Sequence, residues 1–274
     1  MLFGRFLQLE GGIGLPAIPG LGWTFDTVAS IYEKLRPGYV DALYQDVLAY
    51  CPVDASSRAV EVGIGGGQAT EPILKTGCAV TAVEPGEHFC ALCREKFAAY
   101  PGFSVINGKF EHVEFPSECC DLVYSASAFH WVPEEIGYRK AYAMLKSGGA
   151  FARFANHPYK DKGRPGMHEA LQAVYAVYMP GSLVPSEYSE EAARSRAEIA
   201  AKYGFVDIQH RLYHRTRDYT AAEYVQLLGT YSDHIAIEEK TRGRFFREIE
   251  QAINGMGGMI TIYDTIDLQL ARKP

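Results

Sequence analysis

The residues Ala59 to Thr70, AVEVGIGGGQAT, carry one carboxylate, Glu61, on a run of short apolar residues and then break into four glycines within five positions, Gly63, Gly65, Gly66 and Gly67. A glycine-rich turn after an apolar strand lets the backbone approach a ligand closely and aims N–H groups at it, which suits a nucleotide-like molecule. A dinucleotide turn needs G-x-G-x-x-G, its third glycine allowing helix and strand to pack closely. Counted from Gly63, that third position is Gln68, so the fingerprint fails. The residues instead spell E-x-G-x-G-x-G through Glu61, Gly63, Gly65 and Gly67.

Cysteine is the other residue type whose spacing suggests chemistry. Cys90 and Cys93 form C-x-x-C, and Cys119 with Cys120 would add two soft ligands suited to zinc or arsenic. The surrounding EHFCALCREKFAAY nevertheless repeats Phe89, Cys93 and Phe97 at helical spacing, which makes the thiols ordinary buried side chains. No metal is expected, and the free thiols imply a reducing, cytoplasmic compartment.

These residues need a scaffold, and the chain between about 38 and 155 alternates helical and strand patterns. YVDALYQDVLAY places Val40, Leu43, Tyr44, Val47 and Leu48 on one helical face. RAVEV, CAVTAVE, FSVIN, DLVYSA and GAFARFA read as five buried strands, with a helix from Pro133 to Lys146 that Gly148 and Gly149 cap. Near-continuous apolar strands separated by helices predict a parallel sheet covered on both faces. The expected fold is α/β, a doubly wound, Rossmann-like, seven-stranded and mostly parallel sheet with a helical cap inserted after strand 5. The expected organisation is an extension over 1–23, a core over 24–156, a cap over 157–203 and completion of the sheet over 204–274. The last strand, MITIYDTIDLQLA, alternates Ile260, Ile262, Ile266, Leu268 and Leu270 with polar residues, so it is expected near an edge or antiparallel.

Composition limits the partners. In 274 residues, 47% are hydrophobic and the formal net charge is −6, so a surface built to neutralise nucleic-acid phosphates is not expected. No run approaches the roughly 20 apolar residues of a membrane span. The expected partner is a small-molecule acceptor, with the chain as monomer or homodimer.

Taken together, these motifs resemble the class I S-adenosylmethionine-dependent methyltransferases, in the small-molecule group that includes the trans-aconitate type, over roughly residues 24 to 156. The resemblance implies S-adenosyl-L-methionine as cofactor. It implies that Glu61, Gly63, Gly65 and Gly67 form the donor turn and that Glu84, closing the second strand before Pro85, holds the ribose hydroxyls. Lys109 and Phe110 in GKFEHVEF would border the adenine, and Ser125 in YSASAFHWV would stand near the methionine part. Tyr32 and Arg36, in FDTVASIYEKLRPGY, would fold over the cofactor, the guanidinium pairing with its carboxylate.

Methyl transfer from a sulfonium is an in-line displacement that needs alignment and exclusion of water. A carboxylate acceptor is already a nucleophile, whereas a phenol, hydroxyl or carbon acid needs a base. His130 is then the first candidate and His157 the second; His130 and Trp131 have equal standing as packing residues at a strand-to-helix junction. Trp131, Tyr175 and Tyr231 are candidates for an acceptor pocket. Two other readings stand beside this one, a nicotinamide-dependent oxidoreductase on a related fold and a cofactor-binding domain without catalysis.

Overall fold

In a computed structural model of the chain, residues 29–182 and 186–274 are described. The extension expected over 1–23 lies outside them. The strands are β1 (Arg58–Val62), β2 (Ala79–Glu84), β3 (Phe103–Asn107), β4 (Cys120–Ala126), β5 (Leu145–Tyr159), β6 (Val206–Thr220) and β7 (Met259–Arg272). They form one seven-stranded sheet in the order β3-β2-β1-β4-β5-β7-β6. The pairs β1–β2, β1–β4, β2–β3 and β4–β5 are parallel. β7 runs antiparallel to β5, since Gly148 and Gly149 exchange backbone hydrogen bonds with Lys273 while Ala155 donates to Asp267. β7 lies between β5 and the edge strand β6, so it is antiparallel and next to an edge, as its alternation suggested, and it is buried along most of its length.

The helices are α1 (Ala29–Leu35), α2 (Asp41–Tyr50), α3 (Glu71–Leu74), α4 (Glu87–Lys96), α5 (Glu134–Met144), α6 (Pro165–Tyr178), α7 (Glu190–Ala197), α8 (Ala221–Leu228), α9 (Ser232–Ile235) and α10 (Glu239–Gly255). α5 stops at Met144 because Leu145 is already extended, fully buried and paired with Cys120. Gly148 and Gly149 therefore belong to β5 rather than to a helix cap.

The described residues divide into two compact units. The first contains residues through Asn156, Tyr188–Tyr213 and Ile266–Pro274. It has an apolar cluster on each face of the sheet, one built on Leu43, Val47, Ile73 and Leu122, the other on Val60, Phe129, Tyr138 and Leu145. Within it β1 is flanked by β2 on one side and β4 on the other, so the chain changes winding direction at the carboxyl end of β1, where open α/β sheets hold ligands.

The second unit comprises His157–Glu187 and His214–Thr265. α7 groups with the first unit, whereas α8, α9 and α10 join α6 in the second. The physical reason lies in α10, whose Phe245, Ile249 and Ile253 recur at four-residue spacing and share a core with Met167, Leu171 and Tyr175 of α6. Thr220 and Glu223 close a capping box at the start of α8. Phe245 is fully buried, its ring centroid 5.0 Å from that of Tyr175. Phe245→Ala is expected to lower stability by about 3–5 kcal/mol in urea denaturation. An unchanged midpoint would contradict this packing.

Candidate active site

At the end of β1 the backbone turns through left-handed conformations at Gly63, Gly65 and Gly67, with φ of 74°, 52° and 72°. Two of these positions also lack space for a side chain. A Cβ on Gly63 would lie 2.3 Å from Cβ of Ala128, and one on Gly67 would lie 2.6 Å from Cε2 of Phe97. Ala128 immediately precedes the short 3-10 turn Phe129–Trp131 after β4, so the glycine turn is seated directly on the start of that segment.

Two carboxylates meet at this turn in different environments. Glu61 is fully buried, and its Oε2 accepts hydrogen bonds from the Thr70 and Tyr124 hydroxyls, each at 2.8 Å. Its Oε1 has no partner among the described residues. Burial raises the Glu61 pKa from the ordinary 4.5 to about 7, the two hydroxyls and Lys96 pulling it down and Glu84 pushing it up. Glu84 ends β2, where Oε2 accepts from Gly65 N at 3.0 Å and Oε1 from Gly86 N at 2.9 Å. Each oxygen is thereby oriented by a backbone N–H, and the carboxylate is tied to the glycine turn itself. Asn107 Nδ2 donates to the carbonyls of Glu84 and Pro85, at 3.0 and 2.9 Å, which fixes the loop after β2.

α1 lies against the same turn. The Tyr32 ring meets the edge of Phe89 with centroids 5.1 Å apart, and the Arg36 guanidinium stands 5.0 Å over the Tyr32 ring. Tyr32 also comes within 3.7 Å of the place a Cβ of Gly65 would occupy. The glycine turn, Glu61, Glu84, Tyr32 and Arg36 are therefore brought together. Lys109 is exposed after β3, whereas Phe110 is buried in the core with Val62 and Val83. The Lys140 ammonium donates to the carbonyls of Phe110 and Val113 and pins that loop. Ser125 is fully buried and donates to the Val62 carbonyl at 2.7 Å, tying β4 to β1.

Beyond β4 stands a residue that sequence reasoning missed. Ser127 adopts φ of 53°, uncommon for a residue with a side chain. Its hydroxyl lies 2.8 Å from the Tyr39 hydroxyl, and its backbone N–H donates to Phe154 O at 2.8 Å. His130 follows, half-buried, its ring 5.0 Å from that of Trp131, which is 37% exposed.

His157, Tyr175 and Tyr231 fall in the second unit. His157 is buried in β5. The Tyr175 hydroxyl sits 2.9 Å from His234 Nε2, while His234 Nδ1 is 2.7 Å from Asp233 Oδ1. Tyr175 is thus part of an apolar core with an internally satisfied hydroxyl; Tyr231 is half-buried, its ring 5.7 Å from that of His234. The C-x-x-C thiols are free and buried. Cys90 donates to Glu84 O at 3.3 Å and Cys93 to Gly65 O at 3.2 Å, and burial pushes the Cys93 thiol well up.

The Glu61 environment has a pH consequence. In the unfolded chain the carboxyl ionises near 4.5, while in the fold it keeps its proton to about 7. The folded state therefore binds more protons between these values, and its stability falls as pH rises through that window, by about 3 kcal/mol. Glu61→Gln is expected to remove this decline, seen as a urea midpoint that stays level from pH 5 to 8 relative to the wild type. Parallel profiles for the two proteins would contradict it.

Comparison with known proteins agrees with this geometry. The family described as methyltransferase domain matches residues 60–152. An uncharacterised methyltransferase of Geobacillus sp. is 30% identical over 146 residues, covering 50% of this chain and 68% of that protein. One from Schizosaccharomyces pombe is 25% identical over 225 residues, covering 81% of this chain and 84% of its relative. Among solved structures, a Haemonchus contortus phosphoethanolamine N-methyltransferase 2, in complex with phosphomonomethylethanolamine and S-adenosylhomocysteine, superimposes with a TM-score of 0.55 at 15% identity. That match covers 95% of this chain, which spans 61% of the other, and it speaks to the fold alone. The glycine turn with its two carboxylates, the sheet order and these relatives converge: the chain belongs to the class I S-adenosylmethionine-dependent methyltransferases and is an enzyme of methyl transfer.

Proposed function

We propose that the chain methylates a small organic molecule at a hydroxyl or phenol oxygen, with His130 as the base. The observation that carries this reading is the 2.3 Å approach of Ala128 Cβ to the Cβ position of Gly63, because it seats the His130 segment on the donor turn. Glu84, its two oxygens oriented by Gly65 N and Gly86 N, is suited to accept the two ribose hydroxyls. Glu61 Oε1, buried and without a partner among the described residues, suits a cationic amino group. Arg36 suits the donor's carboxylate, and Tyr32 covers the turn. Lys109 borders the adenine in this reading, with the buried Phe110 supporting the loop from below.

When bound, S-adenosylmethionine supplies an activated methyl group, so the protein aligns the acceptor and excludes water. His130 takes the acceptor's proton as the oxygen attacks, and the hydroxyl pair of Tyr39 and Ser127 offers the acceptor a hydrogen-bonding anchor. A carboxylate acceptor dispenses with the base, and the two cases separate in one experiment. Carboxylic and phenolic acceptors are screened with donor labelled in its methyl group, and His130→Ala is compared with the wild type on each hit. For a hydroxyl or phenol the variant is expected to lose about a hundredfold or more in kcat while donor binding persists. Unchanged turnover on the best acceptor would remove His130 from the role of base.

A further inference from the structure

α4 meets the glycine turn residue by residue. Cys93 Sγ donates to Gly65 O at 3.2 Å, Lys96 Nζ donates to Gly66 O at 2.9 Å, and the Phe97 ring occupies the space that a Cβ of Gly67 would need. Positions 93, 96 and 97 share one helical face, so three neighbouring glycines rest on three side chains of a single element.

Lys96 also reaches the opposite wall. Its ammonium lies 2.8 Å from Glu33 Oε1 on α1, and α1 is pressed so closely on the turn that a Cβ of Gly66 would stand 3.0 Å from Glu33 Cα. The two side chains of this ion pair are 32% and 29% exposed, so salt reaches the pair without abolishing it. The neighbour of Glu33, Tyr32, lies 3.7 Å from the place a Cβ of Gly65 would occupy.

We propose that Lys96 is a positioning residue: by joining Gly66 to Glu33 it latches α1 on the donor turn and sets how long the bound donor stays. The inference rests on the reading of Tyr32 and Arg36 as a cover over the donor. A covered ligand leaves only when α1 lifts, and lifting α1 breaks the Lys96–Glu33 pair while the bond from Lys96 to Gly66 can remain.

The test follows dissociation of S-adenosylhomocysteine by stopped-flow displacement from the full chain, at low and high sodium chloride, alongside the thermal midpoint of each variant. Glu33→Gln removes the charge on α1 and leaves the Gly66 bond in place. It is expected to speed dissociation about two- to fivefold at low salt, the effect of a partly exposed ion pair. High salt should speed the wild type toward the variant and leave the variant little changed, because screening has already been replaced by loss of the charge. Lys96→Met is expected to dissociate faster still, Lys96→Arg to stay near the wild type, and Glu33→Gln combined with Lys96→Met to match Lys96→Met alone, as a shared interaction requires. Equal rates for Glu33→Gln and the wild type at low salt, or an identical salt response, would overturn the latch. A lowered thermal midpoint with an unaltered dissociation rate would make Lys96 a purely structural residue and overturn it as well. Absence of binding to the wild-type chain would overturn the donor reading itself, and the latch with it.

Discussion

The turn after β1 depends on a backbone that only glycine can follow. At Gly63 and Gly67 a left-handed φ coincides with neighbours that exclude a Cβ, Ala128 on one side and Phe97 on the other. Those neighbours come from different parts of the chain, the segment after β4 and the end of α4. The turn is therefore a junction between these elements. Its shape holds only if β1, β4 and α4 are all in place, which couples the site to the packing of the whole sheet.

The two carboxylates at this junction show how position sets chemistry. Glu61 points into the interior beneath the turn, where burial favours its protonated form and two hydroxyls converge on one oxygen. Glu84 ends a strand one position over in the sheet and is bracketed by the N–H groups of Gly65 and Gly86, which orient both oxygens. One acid is thus anchored beneath the turn by side-chain hydroxyls, and the other is held by backbone N–H groups of the two loops. The C-x-x-C pair is absorbed into the same arrangement, since each thiol donates to a carbonyl of one of the two loops.

Much of this was legible in the sequence, for local reasons. The spacing of Glu61, Gly63, Gly65 and Gly67 encodes a turn geometry directly, and the alternation of apolar strands with amphipathic helices encodes the doubly wound sheet. What escaped depends on contacts distant in the chain. The extent of the second unit is decided by α10 burying Phe245, Ile249 and Ile253 with α6, a choice that no local pattern announces. Ser125 and Tyr175 have residue types suited to a site, yet the face of the strand or helix on which each falls turns it inward. Ser127 holds a positive φ without the glycine that would have signalled it, and Lys96 reads as one more charge on a helix until the fold brings Gly66 and Glu33 within its reach.

In the function proposed above, the turn after β1, completed by Glu84, holds S-adenosylmethionine. Isothermal titration of the wild-type chain and of Glu84→Ala with S-adenosylhomocysteine tests it most directly. One site per chain is expected in the wild type, with an affinity lower by about ten- to a hundredfold in the variant, the cost of losing a charge-assisted pair of hydrogen bonds. No heat of binding to the wild type at millimolar ligand, or equal affinity in the two proteins, would contradict it.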